Sequence, residues 1–127
     1  MSKPTILVTG SNGQLGKELQ VLAESYPQFR FVFASREDLK LHHYGLVENF
    51  FLATNPHYYI NCAAYTAVDK AESEPDMAML VNGESVGNLA AVCKKYQTKL
   101  IHISTDYVFN GESEIPYKED DSTSPIN

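Results

Sequence analysis

Three glycines spaced three residues apart, Gly10, Gly13 and Gly16, stand between an apolar run and an amphipathic segment near the start of the chain. Thr5-Ile6-Leu7-Val8 reads as a short buried strand, and Leu15, Leu19 and Leu22 recur at helical spacing. A strand that feeds a helix through glycines is a phosphate-binding turn. Gly10 lets the chain turn tightly, Gly13 lets backbone N–H groups approach a pyrophosphate, and Gly16 lets the helix pack close to the strand. The helix N-terminus adds partial positive charge. Gly10-Ser11-Asn12-Gly13-Gln14-Leu15-Gly16 is therefore a candidate dinucleotide site. An ordinary strand-to-helix turn would use the same glycines, so the rest of the chain has to decide.

Strand and helix patterns alternate along the 127 residues. Phe29 to Ala34 predicts a second buried strand, ending in Ser35-Arg36-Glu37-Asp38. Tyr44 to Thr54 predicts an amphipathic helix with Leu46, Val47, Phe50 and Phe51 inward. Asn55-Pro56 leads to a third strand over Tyr58 to Ala63. Asp69-Lys70-Ala71-Glu72 reads as the start of a solvated helix, and Pro75 opens a longer one running to about Tyr96. Val86, Leu89, Ala90 and Cys93 mark its inner stripe, and Leu100 to Ser104 forms a fourth strand.

Such alternation predicts a parallel sheet joined by right-handed helical crossovers, a Rossmann-like doubly wound α/β fold. The length suits one domain, or part of one. Ligands in such folds bind beyond the carboxyl ends of the strands, which points to four loops: Gly10 to Gly16, Ser35 to Lys40, Ala63 to Thr66, and Ser104 to Asp106. The stretch from Asn110 to Asn127 has little apolar periodicity and reads as a long irregular segment.

A net charge of −6 and the lack of a basic stripe disfavour a nucleic-acid partner. Cys62 lies in an apolar run and Cys93 on an apolar helix face, neither in a C-x-x-C pair, so both read as buried thiols of a reduced compartment. There is no leader-like N-terminus and no apolar run near the ~20 residues that span a bilayer. A cytoplasmic protein without a membrane partner is the expectation. His42 and His43 are neighbours expected to point apart in a solvated loop, with no third metal ligand in view.

Ile103-Ser104-Thr105-Asp106 places two hydroxyls and a carboxylate directly after a buried strand. Thr105 could hold a carbonyl and Asp106 a sugar hydroxyl, although both side chains could equally satisfy a turn. Small residues at Cys62-Ala63-Ala64 would let a cofactor pass close to the backbone.

Three ordered blocks make the chain recognisable: Thr9 to Gly16, Asn61 to Glu72, and Ser104 to Phe109 with Gly111. Together they resemble the dTDP-4-dehydrorhamnose reductase family of extended short-chain dehydrogenases/reductases, in register over essentially the whole chain. The resemblance implies hydride delivery from NADPH or NADH to the C4 carbonyl of a dTDP-4-keto-6-deoxyhexose, with a tyrosine supplying the proton. It implies that Gly13, Gln14 and Leu15 cover the pyrophosphate and that Ala63, Ala64 and Tyr65 line the cofactor. Thr105 would be a catalytic hydroxyl and would face the dTDP-sugar together with Asp106.

Two departures qualify it. The family's Tyr-x-x-x-Lys would begin two residues past Asn127, and none of Tyr96, Tyr107 or Tyr117 has a lysine four residues on. The expectation is thus an incomplete cofactor-binding portion, inactive alone, of an enzyme that could also use Mg²⁺ and form a homodimer. The acids between 112 and 121 permit a metal without requiring one. Second, Lys40 stands where the family commonly has an aspartate beside the adenine, with Leu41 in the matching apolar position. Arg36 could pair with a 2′-phosphate, which favours NADPH. A competing reading is a non-catalytic regulatory module similar to the regulatory subunit of methionine adenosyltransferase.

Overall fold

A computed structural model of the chain describes residues 2–64, 68–104 and 108–126, without the side chains of 68 and 69. The elements run β1 (Thr5–Thr9), α1 (Gln14–Ala23), β2 (Arg30–Ala34), α2 (Tyr44–Thr54), β3 (Tyr58–Asn61), α3 (Val68–Ser73), α4 (Pro75–Met79), a π-helical turn (Leu80–Glu84), α5 (Ser85–Lys95) and β4 (Lys99–His102). The four strands form one parallel sheet in the order β2-β1-β3-β4. The chain steps one way from β1 to β2 and the other way from β2 to β3 and β4. With right-handed crossovers this puts α1 on one face of the sheet and α2 and α5 on the other.

The register makes the two faces concrete. Val32, Leu7, Tyr59 and Leu100 pair across the strands in one row. That row belongs to the main core, where Leu7 and Tyr59 are buried with Val47 and Phe51 of α2 and Leu89, Val92 and Cys93 of α5. The Phe51 and Tyr59 rings stack at 5.6 Å. The adjacent row, Phe33, Val8, Ile60 and Ile101, points to the face of α1, and its burial fades from Val8 at 0% exposed to Ile101 at 50%.

Helix ends follow local chemistry. α2 stops at Asn55, which takes a left-handed conformation (φ 47°) and donates its N–H to the Phe51 carbonyl at 2.8 Å, and Pro56 follows. Gln97 (φ 57°) turns the chain after α5, and the Thr98 N–H reaches the Cys93 carbonyl at 2.8 Å. β3 ends at Asn61 rather than Ala63, because the Asn61 side-chain oxygen accepts the Ala63 N–H at 3.1 Å in place of a ladder bond. β4 likewise ends at His102, short of Ser104.

Several face assignments need correction. Leu46 is 54% exposed, because Val47 and Phe51 already define the inward line of α2. Ala90 is exposed and Val92 takes its place in the buried stripe of α5. Both stripes have helical spacing, and the packing of α5 selects the one through Ser85, Leu89, Val92 and Cys93. Leu15 and Leu22 of α1 are also largely exposed. Residues 108–126 contain no helix or strand, yet Phe109 and Tyr117 stack at 4.1 Å and the Tyr117 hydroxyl donates to the Asn110 side-chain oxygen at 3.2 Å.

Truncation on the two sides of α2 separates these roles. Phe51→Ala is expected to cost about 3–5 kcal/mol in urea unfolding, and Leu46→Ala within about 0.5 kcal/mol of zero.

Candidate nucleotide-binding site

The carboxyl ends of β1, β2 and β3 open onto one cleft with a volume of about 640 Å³. Gly10 has φ +73°, and a Cβ there would lie 2.5 Å from both the Ala63 nitrogen and the Cys62 carbonyl carbon. Only glycine fits, for conformation and for space. A Cβ on Gly16 would overlap the Gly10 carbonyl oxygen and come within 2.7 Å of the Ser11 Cα. Gly13 differs from both. It has ordinary extended backbone (φ −76°, ψ 175°), and its added Cβ would meet just the Gly10 carbonyl oxygen, at 3.3 Å.

Gly13 is the N-cap of α1, and no side chain caps that end. The first turn of α1 carries no acid. Its leading N–H groups and the positive end of the helix dipole are thus open to an anion. Asn12, Gly13, Gln14 and Leu15 all line the cleft. The Ser11 N–H donates to the Ala34 carbonyl at 3.3 Å and the Gln20 amide to the Ser11 carbonyl at 2.8 Å, so the loop is tied to β2 and to its own helix.

Behind the loop a buried polar network fixes the strand ends. The Thr9 hydroxyl donates to the Asn61 side-chain oxygen at 2.8 Å, so the Tyr59 hydroxyl, 2.7 Å away, donates to Thr9. The Asn61 amide lies 3.2 Å from His102 Nδ1, and as donor it leaves the His102 proton on Nε2. Burial raises the Tyr59 phenol well above its ordinary value, so Tyr59 stays protonated and structural. Burial also pushes the Cys93 thiol up to about 11 and raises Cys62, so neither is a thiolate near neutrality. Cys93 is buried as expected, but Cys62 is half-buried at the cleft wall.

The far wall is the segment after β2. Ser35, Arg36, Lys40 and Leu41 line the cleft, as do Ala63 and Ala64 after the third strand and Ser104 after the fourth. Leu39 and Leu41 are buried in the main core, which fixes the exposed Lys40 between them. Asp38 folds back on its own turn, accepting from the Ser35 N–H at 2.8 Å and from the Ser35 hydroxyl at 3.0 Å. Those bonds hold its carboxyl below the usual range.

The structure thus gathers Gly10, Asn12, Gly13, Gln14, Leu15, Arg36, Lys40, Leu41, Ala63 and Ala64 around one space, with Ser11 and Gly16 just behind. Tyr65, Thr105 and Asp106 lie outside the described residues. Two cleft residues escaped the sequence reading. His42 was assigned to a solvated loop, but it lines the cleft, and its ring meets His43 edge to face at 4.4 Å rather than pointing away. Its position two residues beyond Lys40 was the available signal. Val81 comes from the π-helical turn, for which the sequence carries no local marker. Beside that turn the Ser85 hydroxyl and the Asn88 amide nitrogen are buried without partners among the described residues.

A parallel sheet whose first loop presents a bare helix N-terminus to a cleft beyond the strand ends defines a Rossmann-like nucleotide-binding fold. Within that class, the family model described as the RmlD substrate binding domain matches residues 4–127, and the chain belongs to that family. It is 42% identical over 123 residues to a dTDP-4-dehydrorhamnose reductase of Streptomyces griseus, covering 97% of this chain and 40% of that protein. A dTDP-4-dehydrorhamnose reductase of Burkholderia thailandensis is 43% identical over 126 residues, covering 96% of this chain and 40% of its own. Among solved structures, a dTDP-4-dehydrorhamnose reductase of Bacillus anthracis in complex with NADP superposes with a TM-score of 0.91 at 36% identity, over 100% of this chain and 45% of that one. The chain therefore spans about two-fifths of the length of these reductases. Among the described residues no helix is long and apolar enough to cross a membrane.

The three glycines should respond differently to substitution. Gly10→Ala and Gly16→Ala are each expected to lose about 1–3 kcal/mol or more from strain and overlap, and Gly13→Ala less than about 1 kcal/mol. Chemical denaturation of the three variants measures the difference.

Proposed function

We propose that this chain is the cofactor-binding part of a reductase that converts dTDP-4-dehydrorhamnose to dTDP-L-rhamnose with NADPH, or with NADH as the weaker alternative. The observation that carries the reading is the open N-terminus of α1 at Gly13, facing a cleft that the fold leaves unfilled. Backbone N–H groups and a helix dipole suit a pyrophosphate. The relatives' names supply the sugar nucleotide, and the NADP held by the Bacillus anthracis enzyme supplies the cofactor class.

The residues present fit such a group. Asn12, Gly13, Gln14 and Leu15 would hold the pyrophosphate by backbone and dipole. Ala63 and Ala64 offer small side chains along the cleft wall, where a larger residue would fill the space. Arg36, Lys40 and Leu41 would surround the adenosine end. When bound, the reduced nicotinamide supplies hydride to a carbonyl carbon. Thr105 would hold that carbonyl by hydrogen bonding and Asp106 would accept from the sugar. Tyr59 cannot serve as the proton donor, because its hydroxyl is buried and already donates to Thr9. We place the proton donor outside these 127 residues, together with the greater part of the sugar-nucleotide site, so this chain alone is expected to bind cofactor without turnover. Assignment to the cytoplasm, a homodimer and Mg²⁺ in the whole enzyme belong to the same proposal.

Calorimetric titration of NADPH and NADH into the chain tests it. Binding is expected for the unmodified chain and should be lost in Gly13→Val, whose larger side chain occupies the anion position. Unfolding measured on the same variant confirms that the fold persists. Absence of binding to either nucleotide would overturn the cofactor reading.

A further inference from the structure

The inner stripe of α5 begins on a polar residue. Ser85 is 0% exposed, in line with Leu89 and Val92 of the main core. Its hydroxyl and the side-chain nitrogen of Asn88 are both buried, and neither has a hydrogen-bond partner among the described residues. The two residues stand three apart, so they are neighbours on one side of the helix. A helical serine commonly returns its hydroxyl to a backbone carbonyl one turn earlier, and Ser85 does not. The backbone ladder is altered at the same place: the Ser85 N–H reaches past the usual acceptor to the Leu80 carbonyl, which closes the π-helical turn. Four residues before Ser85, Val81 lines the cleft. The two polar groups thus follow a residue of the cleft wall and adjoin residues of the main core. Leaving a hydroxyl and an amide dry in a protein interior is costly, and native structures satisfy such groups in the great majority of cases, by protein or by ordered water.

We infer that Ser85 Oγ and Asn88 Nδ2 hold one internal water molecule between them, at the junction of the π-helical turn and α5. The chemistry of the two groups selects this ligand. Asn88 Nδ2 is a donor with no lone pair to offer a metal, so a cation has no place at that atom. Neither group is charged, so an anion would be buried there without compensation. Water accepts from the amide and exchanges a hydrogen bond with the hydroxyl, which can donate or accept. Two to four such partners are what a buried water takes. The same molecule accounts for a serine at the head of a stripe that otherwise buries Leu89, Val92 and Cys93. It bridges one turn of helix, and so braces the end of the π-helical turn on which Val81 meets the cleft.

A high-resolution crystal structure of the unmodified chain tests this directly. An ordered water is expected within about 2.7–3.2 Å of both Ser85 Oγ and Asn88 Nδ2. A direct bond from either atom to another protein group, or a dry cavity beside them, overturns the site. Urea unfolding gives a second and independent reading. With a shared water, Ser85→Ala and Asn88→Ala are each expected to lower the folding equilibrium constant about three- to tenfold. The double variant should lower it by less than the product of the two effects, because both substitutions remove the same bridge. A rise in the equilibrium constant for Ser85→Ala would mark a hydroxyl buried dry, since removing an unsatisfied group relieves its desolvation cost. Effects that simply multiply would mark two groups without a common partner. Each of those two results overturns the shared water.

Discussion

The backbone of Gly10 lies against the backbone of Cys62 and Ala63, and the shape of the cleft depends on that approach. A left-handed φ at Gly10 turns the chain off β1 directly over the end of β3, and Gly16 then lets α1 start on top of the Gly10 carbonyl. Three segments converge where one Cβ would force them apart. The Ser11 N–H reaches the Ala34 carbonyl and so adds the end of β2, while Thr9, Tyr59, Asn61 and His102 link β1, β3 and β4 beneath. A loop held at this many points presents its N–H groups in one geometry, which lowers the ordering cost of capturing an anion.

The same connectivity makes the sheet unequal on its two sides. α2 and α5 bury Leu7, Tyr59 and Ala34 on one face as a continuous core. The other face has α1 over β1, and beyond it Ile101 and Ile103 are half-exposed. Large apolar side chains on the face of a parallel sheet are ordinarily covered by helices. The family's reductases are more than twice as long as this chain, so they have further sequence with which such a face can be packed.

Much of this was legible in the sequence, because hydrophobic period and glycine spacing are local signals. α2 was bounded at Tyr44 and Thr54 by its period and by Asn55-Pro56, and the structure keeps both ends. The glycine loop and the four-strand alternation were legible for the same reason. What failed was decided by side chains acting over distance. Asn61 ends β3 early by taking the Ala63 N–H, a competition no period reveals. Two stripes of helical spacing are open to α5, and its packing buries Val92 rather than Ala90, while the π-helical turn brings Val81 to the cleft. Leu46 looked like core because it is apolar, but a helix of 11 residues against one sheet face buries a narrow line, and Val47 and Phe51 fill it. His42 was missed because its role depends on where Leu39 and Leu41 anchor the loop, a tertiary fact.

The contrast among the glycines also separates what the fold needs from what a ligand needs. Gly10 and Gly16 are required by the polypeptide itself, since any side chain there collides with backbone that cannot yield. Gly13 has no such reason: its dihedrals suit any residue, and its Cβ would have room apart from one carbonyl oxygen. A glycine that the chain could replace, placed where an uncapped helix opens onto a cleft, keeps that opening clear for whatever approaches it. The charges at the end of β2 divide in the same way. Asp38 stabilises its own turn, whereas Arg36 and Lys40 have no ion-pair partner among the described residues and face the same space as Gly13. Residues with no structural task, converging from separate loops on one cavity, are the physical signature of a binding site. Here Arg36 and Lys40, with Glu37 beside them, stand at one end and the bare start of α1 at the other, a pattern suited to an anion at the helix end.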